Sequence, residues 1–303
     1  MEFLYFLEKI RIPVLNEFML AITHLGAETA FLVIALVMFW CIDKRRGYYI
    51  LSVGFVGTIL NQFMKLCYRI PRPFEADPEF TILEAARAEA TGFSFPSGHT
   101  QSSVATFGGL AWTEKRKWLK WIFIAIAILV PFSRMYVGVH TPQDVLVAAA
   151  ISLALIFIIK PLVLDDNGKY MPYLLGFMFL LAVGYLCFVE LFPFPEDVNA
   201  ERLNSGVESA YTLLGALLGL LIVYIVDNKW LNFSTEAVWW AQILKVALGL
   251  AAVLVVKSGM KSVLNALFNP YIGRSVRYFL VVIVAGIVWP LSFKFFSKLG
   301  RKE

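Results

Sequence analysis

Residues 143–163 read QDVLVAAAISLALIFIIKPLV. Beyond Asp144 the run is apolar up to Lys160, with Ser152 its only polar interruption. A stretch of about 20 apolar residues is what a helix needs to cross a bilayer. Comparable runs lie on both sides, near 25–42, 48–66, 99–114, 118–137, 171–192, 208–227, 238–257 and 277–297. The expected fold is therefore all-α: a polytopic transmembrane helical bundle of about nine spans. Composition agrees, with 59% hydrophobic and 16% charged residues and a mean hydropathy of +0.71, against about 25% charged in a soluble domain.

The chain, 1–303, reads as one membrane domain without a Pro- or Gly-rich linker, internal repeat or low-complexity tract. Residues 1–24 mix Phe, Leu and Tyr with Glu8, Lys9, Arg11 and Glu17, which predicts an interfacial amphipathic helix. They do not read as a cleaved leader, because Glu2 and Glu8 interrupt them. Residues 48–163 form a core of helices and loops, and 171–297 add further C-terminal spans. Residues 67–98 are a long connection holding four prolines and Gly92, with a short surface helix expected over 81–90. Loops of this length are usually functional. Residues 193–207 form a second polar loop. Cys41, Cys67 and Cys187 lack metal-ligand spacing and read as free thiols. The net charge of +5 belongs to loops beside anionic lipid. No basic face with interleaved aromatics suggests nucleic acid.

Three polar clusters stand at the ends of apolar runs. They are Lys65 with Arg72-Pro73, Pro96-Ser97-Gly98-His99, and Ser133-Arg134 with His140 and Asp144. His140 and Asp144 are four residues apart at the start of a span and share a helical face, with Pro142 in the first turn, where proline is tolerated. A carboxylate beside an imidazole fixes its tautomer and supports the cation formed on attack. An acid entering a hydrocarbon segment is costly and marks function by default. The same pair, taken alone, also reads as a helix N-terminal acid beside an interfacial histidine.

Pro96 to His99 is a turn feeding a helix. Gly98 lets a backbone N–H approach an anion, and the helix start adds unpaired N–H groups and a favourable dipole. Ser97 can donate a further hydrogen bond, and His99 can supply a proton. Alone, this turn reads equally as a helix cap. Lys65, Arg72 and Arg134 suit the equatorial oxygens of a phosphoryl group, arginine by paired contacts and lysine as a point charge. Lys65 alone reads equally as a snorkelling cation.

In order and spacing, the three clusters resemble the tripartite signature of the type 2 phosphatidic acid phosphatase superfamily, with no motif residue missing. The resemblance covers roughly residues 60–150. It implies that His140 attacks phosphorus and forms a phosphohistidine, and that Asp144 orients it. It implies that His99 protonates the leaving oxygen and then helps to activate water. Lys65, Arg72, Arg134, Ser97 and the Gly98 N–H would hold the phosphoryl oxygens. The resemblance implies no metal or other cofactor, and no carboxylate cluster or His/Cys cage in the sequence suits Mg²⁺ or Zn²⁺.

Outside the signature, His24 reads as interfacial. Arg69 reads as a contact for a second phosphate or as a solvated cation. Gln101, Ser102 and Ser103 read as interhelical hydrogen-bonding groups. Lys245, within the eighth span, calls for a partner or a cavity. Lys257, Lys261, Arg274 and Arg277 would flank a loop over 258–276.

Helix alternation puts the three clusters on one side with the N-terminus. The other side carries 14 of the 27 Lys and Arg residues, including Lys44-Arg45-Arg46, Lys115-Arg116-Lys117, Arg301 and Lys302. The positive-inside rule makes that side cytoplasmic, so the clusters face the extracytoplasmic side of a cell membrane.

The expected function is metal-independent hydrolysis of a membrane lipid phosphate or pyrophosphate, for example phosphatidic acid, phosphatidylglycerol phosphate or undecaprenyl pyrophosphate. One alternative is a phosphatase of a soluble ester, as in glucose-6-phosphatase. Others are a lipid phosphotransferase and a catalytically silent lipid-binding or transport protein on the same fold. A vanadate-dependent haloperoxidase shares the signature but not the membrane composition. The sequence leaves oligomeric state open.

Overall fold

The computed structural model describes residues 1–165 and 168–299. The terminal cations Arg301 and Lys302, and part of the cytoplasmic loop expected near 164–170, lie outside the described residues. The fold is all-α, and no β-strand occurs among the described residues. In chain order the helices are α1 (Glu2–Lys9), α2 (Pro13–His24), α3 (Glu28–Val37), α4 (Lys44–Tyr68), α5 (Pro73–Ala76), α6 (Gly98–Ser103) and α7 (Gly109–Thr113). They continue with α8 (Lys117–Tyr136), α9 (Pro142–Lys160), α10 (Met171–Leu191), α11 (Ala200–Val226), α12 (Trp239–Leu267), α13 (Pro270–Ile283) and α14 (Phe293–Phe296).

Among the described residues, seven helical stretches are long and apolar enough to cross a membrane, or up to eight if the bent pair Pro13–His24 and Glu28–Ile42 is one span. The chain is thus a multi-pass membrane protein. Two details of the spans and their connections differ from the sequence expectation. The span expected at 99–114 is a short run, Gly98–Thr113, in which the π-helical turn Val104–Gly108 joins α6 to α7. The loop expected over 258–276 is almost absent. Helix α12 continues to Leu267 and α13 begins at Pro270, with Asn269 accepting a hydrogen bond from the Tyr271 N–H at 2.9 Å. Gly273 allows this tight hairpin, since a Cβ there would lie 3.0 Å from the Leu264 carbonyl.

The described chain divides into two compact units. The first comprises residues 1–32, 50–160 and 194–206. Its core sits under the long connection and joins Leu4, Leu7 and Met19 of the N-terminal helices to Phe80, Ile82 and Ala86, and to Tyr136, Val137 and Val139. The N-terminal segment is two helices rather than one. Its Arg11 donates from Nε to the Tyr136 carbonyl at 3.1 Å and from Nη1 to the Thr81 carbonyl at 2.8 Å. The connection 67–98 is accordingly packed, and residues 84–89 form a 3-10 turn where a surface helix was expected. Gln101 fulfils the expected bonding between helices, donating to the Gly54 carbonyl at 3.4 Å, while the Ser152 hydroxyl donates to the Gln101 carbonyl at 3.2 Å.

The second unit comprises residues 33–49, 161–193 and 207–303. Here Lys44 pairs with buried Asp227 at 2.8 Å, and the Trp40 Nε1–H donates to the Ala285 carbonyl at 2.8 Å. Lys245 is fully buried. Its ammonium donates to the Thr235 carbonyl at 3.1 Å and lies 4.4 Å from the centre of the Phe293 ring. An aromatic face and one carbonyl thus receive the cation that the sequence left without a partner.

Candidate active site

All eleven signature residues, including the eight given a role, fall in the first unit. Helix α9 fixes the carboxylate. Thr141 precedes Pro142 and Asp144 in a reciprocal N-terminal cap. The Asp144 N–H donates to Thr141 Oγ1 at 3.2 Å, and the Thr141 N–H donates to Asp144 Oδ2 at 2.8 Å. This capping box holds Asp144 in one orientation as the helix starts. Two further donors point at the same oxygen, Ser94 Oγ at 2.6 Å and His140 Nδ1 at 3.3 Å. An ionised carboxylate only accepts, so the Nδ1 of His140 carries the proton and Nε2 keeps its lone pair. Nε2 lies 3.3 Å from Arg72 Nη1. Burial, then Arg72, Arg134 and Lys65, hold the pKa of His140 well below the ordinary histidine value. That shift favours the neutral ring.

The short turn between α8 and α9 delivers this histidine. Gly138 has φ of +91°, and a Cβ there would meet Arg11 Nη2 at 2.9 Å and Ile82 at 3.0 Å. Only glycine combines that conformation with so little room.

The cations converge from three elements. Arg72 precedes Pro73 at the start of α5, where the Glu75 carboxylate accepts from the Arg72 N–H at 2.8 Å. Its guanidinium donates to the Thr91 carbonyl at 2.7 Å and the Val139 carbonyl at 3.0 Å, leaving Nε without a partner. Arg134, wholly buried on α8, donates to Thr23 Oγ1 at 2.7 Å, and its Nε and Nη2 have no partner. Lys65, at the end of α4, donates to the Phe93 carbonyl. Buried guanidinium N–H groups without acceptors are costly unless an anion satisfies them. They therefore fit an oxyanion such as a phosphoryl group.

Ser97 caps α6, its Oγ accepting from the Thr100 N–H at 3.3 Å, which leaves its own O–H free to donate. The Ser97 N–H donates to the Asp144 carbonyl at 3.1 Å, tying the second cluster to the third. Gly98 is uncrowded, since a Cβ there would find only Asn61 Oδ1, at 3.8 Å. His99 follows, partly exposed, with its Nε2 3.0 Å from Glu89 Oε2.

The sequence reading missed four participants. Ser94 bonds Asp144, and Thr23 bonds Arg134. Glu89 touches His99, Arg134 and His24. Arg202, in the first turn of α11, pairs with Glu75 and lies 5.3 Å from the Phe93 ring. None has a local motif; distant chain segments bring each of them in. Among the described residues no group of three or more His, Cys, Asp or Glu side chains is placed to hold a metal ion.

Residues 45–167 match the PAP2 superfamily, and residues 211–302 match the PAP2 superfamily phosphatase transmembrane extension. The chain is 32% identical over 164 residues to phosphatidylglycerophosphatase B of Bacillus subtilis, covering 50% of this chain and 76% of that protein. The chain belongs to the PAP2 superfamily. It is a membrane phosphatase of that family. It is also 30% identical over 147 residues to undecaprenyl-diphosphatase BcrC of Bacillus subtilis, covering 48% of this chain and 73% of that protein. With sphingosine-1-phosphate phosphatase 1 of Mus musculus it is 28% identical over 269 residues, 80% of this chain and 58% of the other. No solved structure matches it.

Proposed function

We propose that the chain hydrolyses a phosphate monoester or diphosphate borne by a membrane lipid, through a covalent phosphohistidine. The observation that carries this reading is the His140 ring. It is buried, with Nδ1 bonded to Asp144 and Nε2 aimed at the Arg72 guanidinium. Lipid phosphates are the substrates named for the similar phosphatidylglycerophosphatase, undecaprenyl-diphosphatase and sphingosine-1-phosphate phosphatase. A site among span ends suits a phosphate held at headgroup level.

His140 Nε2 attacks phosphorus, and the bond to the leaving lipid oxygen breaks as His99 gives that oxygen a proton. Asp144 supports the positive charge on His140. Arg72, Arg134, Lys65, Ser97 and the Gly98 N–H hold the three phosphoryl oxygens as negative charge shifts. Water then attacks phosphorus. His99 takes its proton, the P–N bond breaks, and its electron pair returns to Nε2. The site faces the extracytoplasmic side of a cell membrane, a placement supported by the Lys44-Arg45-Arg46 and Lys115-Arg116-Lys117 clusters at the opposite ends of the spans.

Phosphate release from phosphatidic acid, phosphatidylglycerol phosphate and undecaprenyl pyrophosphate in chelator, beside soluble sugar phosphates, tests the reading. Release from at least one lipid, lost in His140→Ala, is the expected result. Faster turnover of the soluble ester, dependence on added Mg²⁺, or no turnover at all would overturn it.

A further inference from the structure

The two histidines of the site have one carboxylate each. Asp144 lies on Nδ1 of His140, and Glu89 lies on Nε2 of His99 at 3.0 Å. Glu89 ends the 3-10 turn of the long connection and is partly exposed. Its other oxygen is 2.9 Å from Nδ1 of solvent-exposed His24, at the end of α2. Arg134 Nη1 stands 3.7 Å from the same carboxylate. Three side chains from three elements therefore fix one acid.

We infer that Glu89 is the positioning residue of His99, and that His24 and Arg134 hold Glu89 in place. This rests on the reading of His99 as the proton donor. The hydrogen bond to His99, with the Arg134 and His24 charges, holds the Glu89 pKa down at about 2, so it is a carboxylate throughout the working range. An ionised carboxylate accepts, so Nε2 of His99 is protonated. The adjacent negative charge favours the doubly protonated ring, and Nδ1 then carries the proton to be transferred. Burial, then Arg134 and Arg72, act against the charge on the ring and hold the His99 pKa below the ordinary histidine value, and Glu89 opposes them. Without Glu89, His99 stands among cations alone and loses the proton that the leaving oxygen needs.

The effect depends on the leaving group. A lipid alkoxide must be protonated as it departs; a nitrophenolate need not be. A positioned acid contributes roughly a hundred- to ten-thousandfold. Glu89→Gln should therefore lower the single-turnover rate of phosphoryl transfer to the enzyme by about tenfold or more for a lipid phosphate, with a change below about threefold for p-nitrophenyl phosphate. The basic limb of the lipid kcat profile should also move to lower pH. His24→Gln leaves the connection intact and should give the same pattern in smaller size, and Glu89→Asp should recover part of the loss. Equal losses on both substrates with unaltered inhibition by inorganic phosphate, or an unmoved basic limb, would overturn the assignment. So would a faster variant, which would mean that Glu89 competes with substrate for the cations. Wild-type turnover with loss in His140→Ala tests the underlying reading separately.

Discussion

Arg72 Nη1 lies 3.3 Å from Nε2 of His140, on the ring edge opposite the one that bonds Asp144. On the proposed mechanism, one cation stands where the phosphoryl group would arrive, directly before the lone pair that would attack it. Arg72→Lys keeps the charge but removes the planar fork. We expect kcat/KM for a lipid phosphate to fall by about a hundredfold or more, the scale for loss of one preorganised donor. Retention of more than half the activity would mean that the guanidinium only anchors the Thr91 and Val139 carbonyls.

Asp144→Asn keeps the shape of the carboxylate but replaces an acceptor that can take hydrogen bonds from Ser94, Thr141 and His140 together. The amide has one acceptor oxygen and its NH₂ group donates, which favours the wrong tautomer of His140. Activity should drop roughly a thousandfold, within the range for disabling a positioned acid–base group. Ser94→Ala removes one neutral donor and should cost only about tenfold. Near-equal losses in the two variants would contradict this ranking.

Burial and three nearby cations depress the His140 pKa, so protonation competes with attack only at low pH. For a base whose pKa is lowered, the active neutral form persists further into acid. The acid limb of kcat/KM, corrected for the substrate's own titration, should therefore lie below pH 6.5, the ordinary histidine value. A limb at or above that value, moved by Asp144→Asn, would contradict the neutral buried ring.

Gly138→Ala places a methyl group on a left-handed residue, 2.9 Å from Arg11 Nη2 and 3.0 Å from Ile82. Backbone strain alone costs about 1–2 kcal/mol, and the contacts add to it. Thermal unfolding in detergent should move down by several degrees, and kcat should fall as the turn carrying His140 shifts. Unchanged Tm and kcat would show that the turn tolerates a side chain.

Much of this was legible in the sequence because hydrophobic length and short spacings are local properties. The run 143–163 lies on a helix of nearly those bounds, α9, though the Thr141–Asp144 cap that starts it went unread. The convergence of Lys65, Arg72, Arg134, His140 and Asp144 followed from ordered motifs at span ends. What did not show was packing between remote segments. Glu89 is 65 residues from His24 and 10 from His99, with no period relating them. Thr23 is 111 residues from Arg134. The middle of the connection 67–98 read as a surface helix because its polar residues hid Phe80, Ile82 and Ala86, which pack with the N-terminal helices. The 258–276 loop was misread for the converse reason. Lys257, Lys261, Arg274 and Arg277 suggested a polar connection, yet two helices carry them, with Arg274 paired to Glu208 at 2.5 Å and Lys257 lying 5.8 Å from the Tyr278 ring centre.

The central claim is that phosphorus is transferred to His140 Nε2 before it reaches water. A rapid-quench experiment with p-nitrophenyl phosphate labelled in its phosphoryl group, whose leaving group needs no acid, measures this directly, using a His99→Ala variant to slow the second step. The label should appear as an acid-labile, base-stable adduct on the peptide carrying His140, and it should be absent from His140→Ala. Label on another residue, or single-turnover phosphate release from His140→Ala at the wild-type rate, would contradict the account.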